Sequence, residues 1–464
     1  MDAAVAAMLM SWVAEPLLTG PGAGGYLLVA RPGEASTLLD FFVSAPGHGD
    51  DGAERCALVP VDVDFGDAIQ VFNVGAAACG VPGNPAGVAE AARRWGTMPL
   101  DELAAPAATL AREGVPMNRA QAFIAQIREG ILLTTPAVRA IFAPSGRALR
   151  EGDVFHAPEL GDTIERLGAE GAAPFYTGDL AERVVAWVGE HGGTLTAEDL
   201  RRYAPAAREP VRVRYRGRDV VTNPPPNAGG VLLAIALAHL DGSGEGPPAL
   251  RDVVEAMRAA QDERTPEFTT GLADAAYARR FVSSRLGATT HISVLDGDGC
   301  AASVTCTNGE GSGLVVPGTG IHVNNIMGEE DLNPLGFHRA APGTRMPSMM
   351  APTAVLRDGR VELVLGSAGS NRIRSAILQV IVGVTDHGLG ACEAVEAPRV
   401  HFEDGVVYAE PGVPVEELSG GGEIVRFRDR NVFFGGAQAV EHDLATGRMT
   451  GAGDPRRGGV AVVA

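Results

Sequence analysis

The feature that most constrains this chain is a change of character at Thr289. Residues 241–288 are polar, rich in Gly and Arg, and end in what reads as a linker. Two short β-type runs then follow, Thr289–Leu295 and Ala301–Thr307, joined by Asp296-Gly297-Asp298-Gly299. Asp-Gly accepts the positive φ of tight turns, so the segment predicts an antiparallel hairpin. Elsewhere the pattern predicts helices over 1–16, 86–148 and 160–204, with Thr196 capping a start whose first turn carries Glu198 and Asp199. Glycine turns and strand-like runs alternate over 17–43, at Tyr26–Ala30 and Thr37–Val43. Val211–Val221 and Val361–Leu365 read as strands, 231–240 as an apolar helix after the Pro224-Pro225-Pro226 turn, and Ile373–Val384 as a buried helix.

Composition removes several function classes. The chain has 464 residues, 45% of them hydrophobic, and a net charge of −19. Phosphate-backbone binding needs clustered cations, so nucleic acid is excluded as a partner. Every basic residue except histidine is Arg, which removes Lys as a general base or Schiff-base former. The five cysteines, Cys56, Cys79, Cys300, Cys306 and Cys392, form no CxxC pair, so neither a disulfide framework nor a metal site is expected. The start, Met1-Asp2-Ala3-Ala4-Val5, is apolar without a basic leader. It predicts a buried helix and, for the chain as it stands, a cytoplasmic protein with no membrane partner.

Two glycine patterns imitate familiar sites and fail on context. Asp-Gly-Asp-Gly lacks the third ligand and distal Glu of a calcium loop. Gly20-Pro21-Gly22-Ala23-Gly24-Gly25 matches GxGxxG but precedes a strand instead of following one. No organic cofactor is implied. The ten histidines show no ligand spacing, and His291 reads as structural.

Thr289-Thr290-His291-Ile292-Ser293-Val294 resembles the processing site of the γ-glutamyltransferases, where such a strand opens the small subunit. Further segments follow in family order: Gly311-Ser312-Gly313, Gly318-Thr319-Gly320-Ile321 with Asn324-Asn325, Ser348-Met349-Met350-Ala351-Pro352-Thr353, and Gly366 through Ile373. Upstream, Arg94 through Leu100, Gly193 through Leu200 and the triple proline match that family's large subunit. The resemblance spans nearly the whole chain. It implies an α+β, four-layer αββα sandwich of the N-terminal-nucleophile hydrolase kind, with two central antiparallel sheets flanked by helices. Residues 1–288 would form the large subunit and 289–464 the small one, intertwined in one globular unit.

The chemistry at Thr289 fits. An internal threonine has no base beside it. Cutting the Ala288–Thr289 bond gives it a free α-amine, whose reference pKa of ~8 leaves a useful neutral fraction at pH 7. That amine can take the hydroxyl proton. By resemblance, Thr307 hydrogen-bonds the Thr289 hydroxyl and the backbone N–H groups of Gly369 and Ser370 form the oxyanion hole. Ser348, with Met349 in place of the family's second serine, touches the substrate carboxylate. Glu329, counted from Asn325, pairs the substrate amine.

One departure bears on specificity. The family's carboxylate-clamping arginine falls, in Asp40-Phe41-Phe42-Val43-Ser44-Ala45-Pro46, at Phe42. A phenyl ring cannot replace a bidentate guanidinium, so Arg345 or Arg372 would have to take over, or the acyl donor must differ, as in the family's β-lactam side-chain acylases or polyglutamate depolymerases. The expected partners are an amide substrate, γ-glutamyl or related, and water or an amino acid as acceptor, with a homo-oligomer possible. An uncleaved, non-enzymatic relative is the competing reading. The chain also begins short of the family pattern, with Met1 where the family has Val, which suggests a misplaced gene start.

Overall fold

A computed structural model describes residues 1–49, 56–64, 69–244, 246–263, 289–333, 336–418 and 422–463. Two antiparallel sheets organise it. The first has five strands in the order Thr290–Leu295, Ala301–Thr307, Gly24–Ala30, Thr37–Phe41, Ala206–Arg208. The second has six, in the order Met449–Gly453, Gly436–His442, Arg360–Ala368, Thr353–Arg357, Arg218–Thr222, Val211–Tyr215.

Alternation along Gly24–Ala30 shows how the layers are built. Leu27 and Val29 join Leu39, Ala302 and Val304 in a core shared with the helices Asp2–Ala14, Asn84–Trp95 and Leu100–Glu113. Tyr26, Leu28 and Ala30 point the other way, into a core shared with the second sheet and the helices Gly229–Gly242 and Arg372–Thr385. All seven residues of the strand are buried, as expected for a strand covered on both faces.

The sheets are stitched where the hairpin meets the second sheet. Ser303 Oγ donates to Leu365 O at 2.9 Å and accepts from Thr353 N at 3.1 Å. Ser293 Oγ donates to Gln438 O at 3.1 Å. The His291 ring bonds Thr305 Oγ1 at 2.8 Å and Ser293 Oγ at 2.9 Å. It lies against Gly366, where any Cβ would overlap the imidazole.

The helix and strand expectations hold in outline, including the capping box of Thr196 and Asp199. Two need correction. Val211–Val221 is a hairpin, reversing at Arg216-Gly217, both with positive φ (48° and 76°). That turn lacks the Asn-Gly or Asp-Gly signature that marks such reversals. The polar stretch after 241 contains a helix, Leu250–Asp262, which buries Val253, Val254, Ala256, Met257 and Ala260. Its apolar stripe is masked in sequence by the Gly and Arg around it. The expected linker and Ala288 lie outside the described residues. Among the described residues no helix is long and apolar enough to cross a membrane.

Candidate active site

The hairpin register sets the geometry. Thr290 pairs with Cys306, so one further step places Thr289, just before the strand, opposite Thr307. Thr307 in turn pairs with Gly24 on the neighbouring strand. Thr289 is 3% exposed. Thr307 Oγ1 accepts from Gly309 N at 2.9 Å, which fixes its rotamer. His291 is not a free base, since both ring nitrogens are engaged and burial pushes its pKa down to about 3.

Gly369 and Ser370 form the turn between the strand Arg360–Ala368 and the helix Arg372–Thr385, with φ of 117° and 51°. Their carbonyls accept from Arg372 N at 3.1 Å and Ile373 N at 3.0 Å. The turn is thereby locked onto the helix N-terminus, where unpaired amides and the helix dipole favour negative charge.

Asn325 and Glu329 gather at the end of the hairpin. A Cβ added to Gly309 would strike Asn325 Oδ1 and Glu329 Oε1. Asn325 Oδ1 accepts from Glu310 N at 2.8 Å, and its amide donates to Asn73 O at 3.2 Å. Ser348 sits elsewhere in the network: its Oγ accepts from Asn227 Nδ2 at 2.9 Å and Met350 N at 3.0 Å. Met349 is buried in the core shared with the second sheet.

Phe42 is 0% exposed and stacks on Tyr26, ring centroids 5.4 Å apart. Neither arginine expected as a replacement clamp is available. Arg345 ion-pairs Asp40 at 3.2 Å, donates to Phe42 O and to Ala204 O, and lies over the Tyr203 ring. Arg372 is 1% exposed, donates to Phe433 O at 2.9 Å and lies over that ring. Each is tied to a core neighbour, which the sequence position alone could not reveal.

Sequence reasoning missed a charged cluster around this strand end. Thr290 Oγ1 donates to Glu15, whose carboxyl is pushed up by burial, against the hydrogen bond from Thr290 and the charge of Arg457. Arg128 pairs with Glu310 and donates to Leu17 O. Arg457 feels Arg128, Glu310, Glu15 and Asp454, and burial lowers it to about 10. Its Nη2 is 3.6 Å from the Cβ position of Gly369. These residues are 15, 128, 310 and 457 in the chain, so no spacing signal could have grouped them.

A second constellation, Ser375, His401 and Glu403, has hydrogen bonds of 2.8 and 3.3 Å. It lies in the core, with the His401 pKa lowered to about 4 by burial. The adjoining cavity is about 10 Å³, room for one water and no substrate.

Comparison with known proteins finds likenesses over most of the chain. The family model described as Gamma-glutamyltranspeptidase matches residues 1–279 and 267–464. The acylase ACY 1 proenzyme of Pseudomonas sp. (strain SE83) is 32% identical over 446 residues, covering 89% of this chain and 80% of its own length. The glutathione hydrolase proenzyme of Escherichia coli (strain K12) is 31% identical over 451 residues, covering 87% and 77%. Among solved structures, cephalosporin acylase from Bacillus halodurans superposes with a TM-score of 0.84 at 28% identity, covering 99% of this chain and 90% of that one.

Proposed function

The chain belongs to the gamma-glutamyltranspeptidase family, and on that premise we propose that it cuts itself before Thr289 and then uses that threonine to hydrolyse or transfer the acyl group of an amide. The observation that carries this reading is the placement of Thr289, opposite Thr307 at the start of an edge strand of the first sheet that packs on the second. Helices against the outer face of each sheet support the reading of a four-layer αββα sandwich in which residues 1–288 and 289–464 are the two interleaved subunits.

In the precursor, the Thr289 hydroxyl attacks the carbonyl carbon of residue 288. The amide nitrogen leaves as the threonine's own amine, and water hydrolyses the ester. In the mature enzyme that amine accepts the hydroxyl proton as the oxygen attacks the substrate carbonyl. The Gly369 and Ser370 amides hold the oxyanion, a contribution of several kcal/mol in comparable sites. The amine passes its proton to the leaving nitrogen, and water or an amino acid then takes the acyl group from Thr289. Thr307 orients the nucleophile, and Glu329 with Asn325 forms the polar wall.

The donor departs from an ordinary γ-glutamyl head group. Phe42 is packed in the core, and Arg345 is tied to Asp40. The relatives include both acylases and glutathione hydrolases, and the loss at position 42 favours an acylase-type donor. The test is a denaturing gel with N-terminal readout. Wild type should give two fragments, the smaller beginning at Thr289, and Thr289→Ala a single band near 47.9 kDa. A wild-type chain that stays whole while turning over amides would refute the reading.

A further inference from the structure

Asparagine at a helix N-cap normally turns its side chain back onto the amides of the first turn. Asn371, the N-cap of the helix Arg372–Thr385, makes no such bond. Its Nδ2 instead donates to Glu403 Oε1 at 2.7 Å. Asn371 is fully buried, and it follows directly on Gly369 and Ser370, whose amides hold the oxyanion in the mechanism above.

The same face of the helix repeats this tie, since residues four apart lie one above the other. Ser375 Oγ and His401 Nδ1 are 2.8 Å apart. Gln379 Nε2 donates to Val400 O, and its Oε1 accepts from Val400 N, both at 2.9 Å. Asn371, Ser375 and Gln379 thus engage Glu403, His401 and Val400 in turn, so the helix is zipped against the strand Val400–Glu403. His401 Nε2, 3.3 Å from Glu403 Oε2, joins two of these ties into one network. Apolar burial is non-directional, whereas hydrogen bonds weaken steeply away from their geometry. Bonds spaced along the axis therefore fix where the helix sits lengthwise. The turn moves with it, because the Gly369 and Ser370 carbonyls are bound by Arg372 N and Ile373 N. On its other side the turn abuts Gly435, whose Cα is 2.7 Å from the Cβ position of Gly369.

We propose that Asn371, Ser375 and Gln379, with Glu403 as the end stop, are the positioning residues of the oxyanion turn: they set the lengthwise position of the helix, and with it where the Gly369 and Ser370 amides meet the tetrahedral oxygen. This rests on the Thr289 reading and adds what holds its anion-stabilising half in place. Such donors act on the transition state more than on bound substrate, so loosening the zip lowers kcat and spares KM.

The test uses the self-cleaved enzyme with γ-glutamyl and glutaryl 4-nitroanilides, the faster of the two carrying the comparison. A boronic acid with the same acyl chain, which forms a tetrahedral adduct on the Thr289 hydroxyl, reports the oxyanion site directly. Glu403→Ala and Asn371→Ala should each lower kcat about tenfold at unchanged KM, less than the roughly hundred- to thousandfold loss when such a donor is removed outright. Boronate affinity should fall by a similar factor, and the double variant should lose no more than either single one. Glu403→Gln should keep most of kcat. Its carbonyl accepts from Asn371, its amide donates to His401 Nε2, and the neutral imidazole changes tautomer to suit. Wild-type kcat in both alanine variants, a rise in KM at constant kcat, or a Glu403→Gln enzyme as impaired as Glu403→Ala would each overturn the proposal. A gel reports maturation, and Asn371→Ala carries the test where Glu403→Ala does not mature. Turnover surviving in Thr289→Ala would sink the nucleophile reading. An inactive Thr289→Ala beside unimpaired Glu403→Ala and Asn371→Ala would sink this one alone.

Discussion

Restoring an arginine at position 42 is the obvious repair if this chain is compared with γ-glutamyl enzymes, and the structure says it will fail. Phe42 is fully buried and stacked on Tyr26. Its backbone is held on both sides, with Phe42 N donating to Asp40 Oδ1 at 3.0 Å and Phe42 O accepting from Tyr203 Oη at 2.8 Å. The nearest carboxylate, Asp40, already serves Arg208 at 2.7 Å and Arg345 at 3.2 Å. A third guanidinium would therefore be buried without a counter-ion of its own. That costs about 3–5 kcal/mol by analogy with broken buried pairs, and losing the ring stack adds about 1 kcal/mol. Set against a typical domain stability of about 5–15 kcal/mol, F42R should accumulate poorly and mature incompletely. F42L, which keeps the site apolar, should cost only about 1–2 kcal/mol and cleave normally. Thermal melting and the fraction cleaved on a gel read both. An F42R protein that is soluble, fully cleaved, melts within a few degrees of wild type and binds a γ-glutamyl anilide more tightly would refute the placement of position 42 in the core.

Three other outcomes follow from the same contacts. Ser303→Ala removes the acceptor of Thr353 N and the donor to Leu365 O; leaving these groups unpaired should destabilise by about 1–3 kcal/mol, seen as a shift in denaturation midpoint. His291, His322 and His401 are buried neutral with pKa values lowered to about 3, 4 and 4. The unfolded chain therefore binds protons first, below about 6.5, so stability held above that pH is lost as pH falls toward the folded values, by about 2 kcal/mol per histidine at pH 5. Glu15, raised by burial, acts in the opposite sense, so a melting temperature flat from pH 7.5 to 5 would argue against the histidines being neutral. Thr290→Val deletes the hydrogen bond to Glu15, and self-cleavage followed over time should slow because the strand bearing Thr289 loses its tether to the helix Asp2–Ala14.

Legibility in the sequence divided along the range of the signals. The hairpin at Thr290 and Thr307, the capping box at Thr196 and the buried helix after Arg372 were written in local patterns, since Asp-Gly, Thr-x-x-Asp and apolar runs act over a few residues. The Arg216-Gly217 reversal uses a rarer residue pair for the same conformation and was missed. The helix Leu250–Asp262 was hidden because its stripe is short and its surroundings are polar. At the site, Thr289 opposite Thr307 followed from register. Whether Arg345 and Arg372 were free did not, because their partners, Asp40 and Phe433, lie far away in the chain.

That division also separates the chemistry of the proposed site from the choice of its donor. The nucleophile opens an edge strand whose position is set by backbone pairing with the fully buried strand Ala301–Thr307. A substitution there disturbs the core, so the acyl-transfer geometry is bound to the fold. The side chains expected to face the donor come from separate elements: Phe42 follows the strand Thr37–Phe41, and Glu329 lies between two short helical turns. At position 42 the ring is part of the packing, and Arg345 pairs with Asp40 beside it.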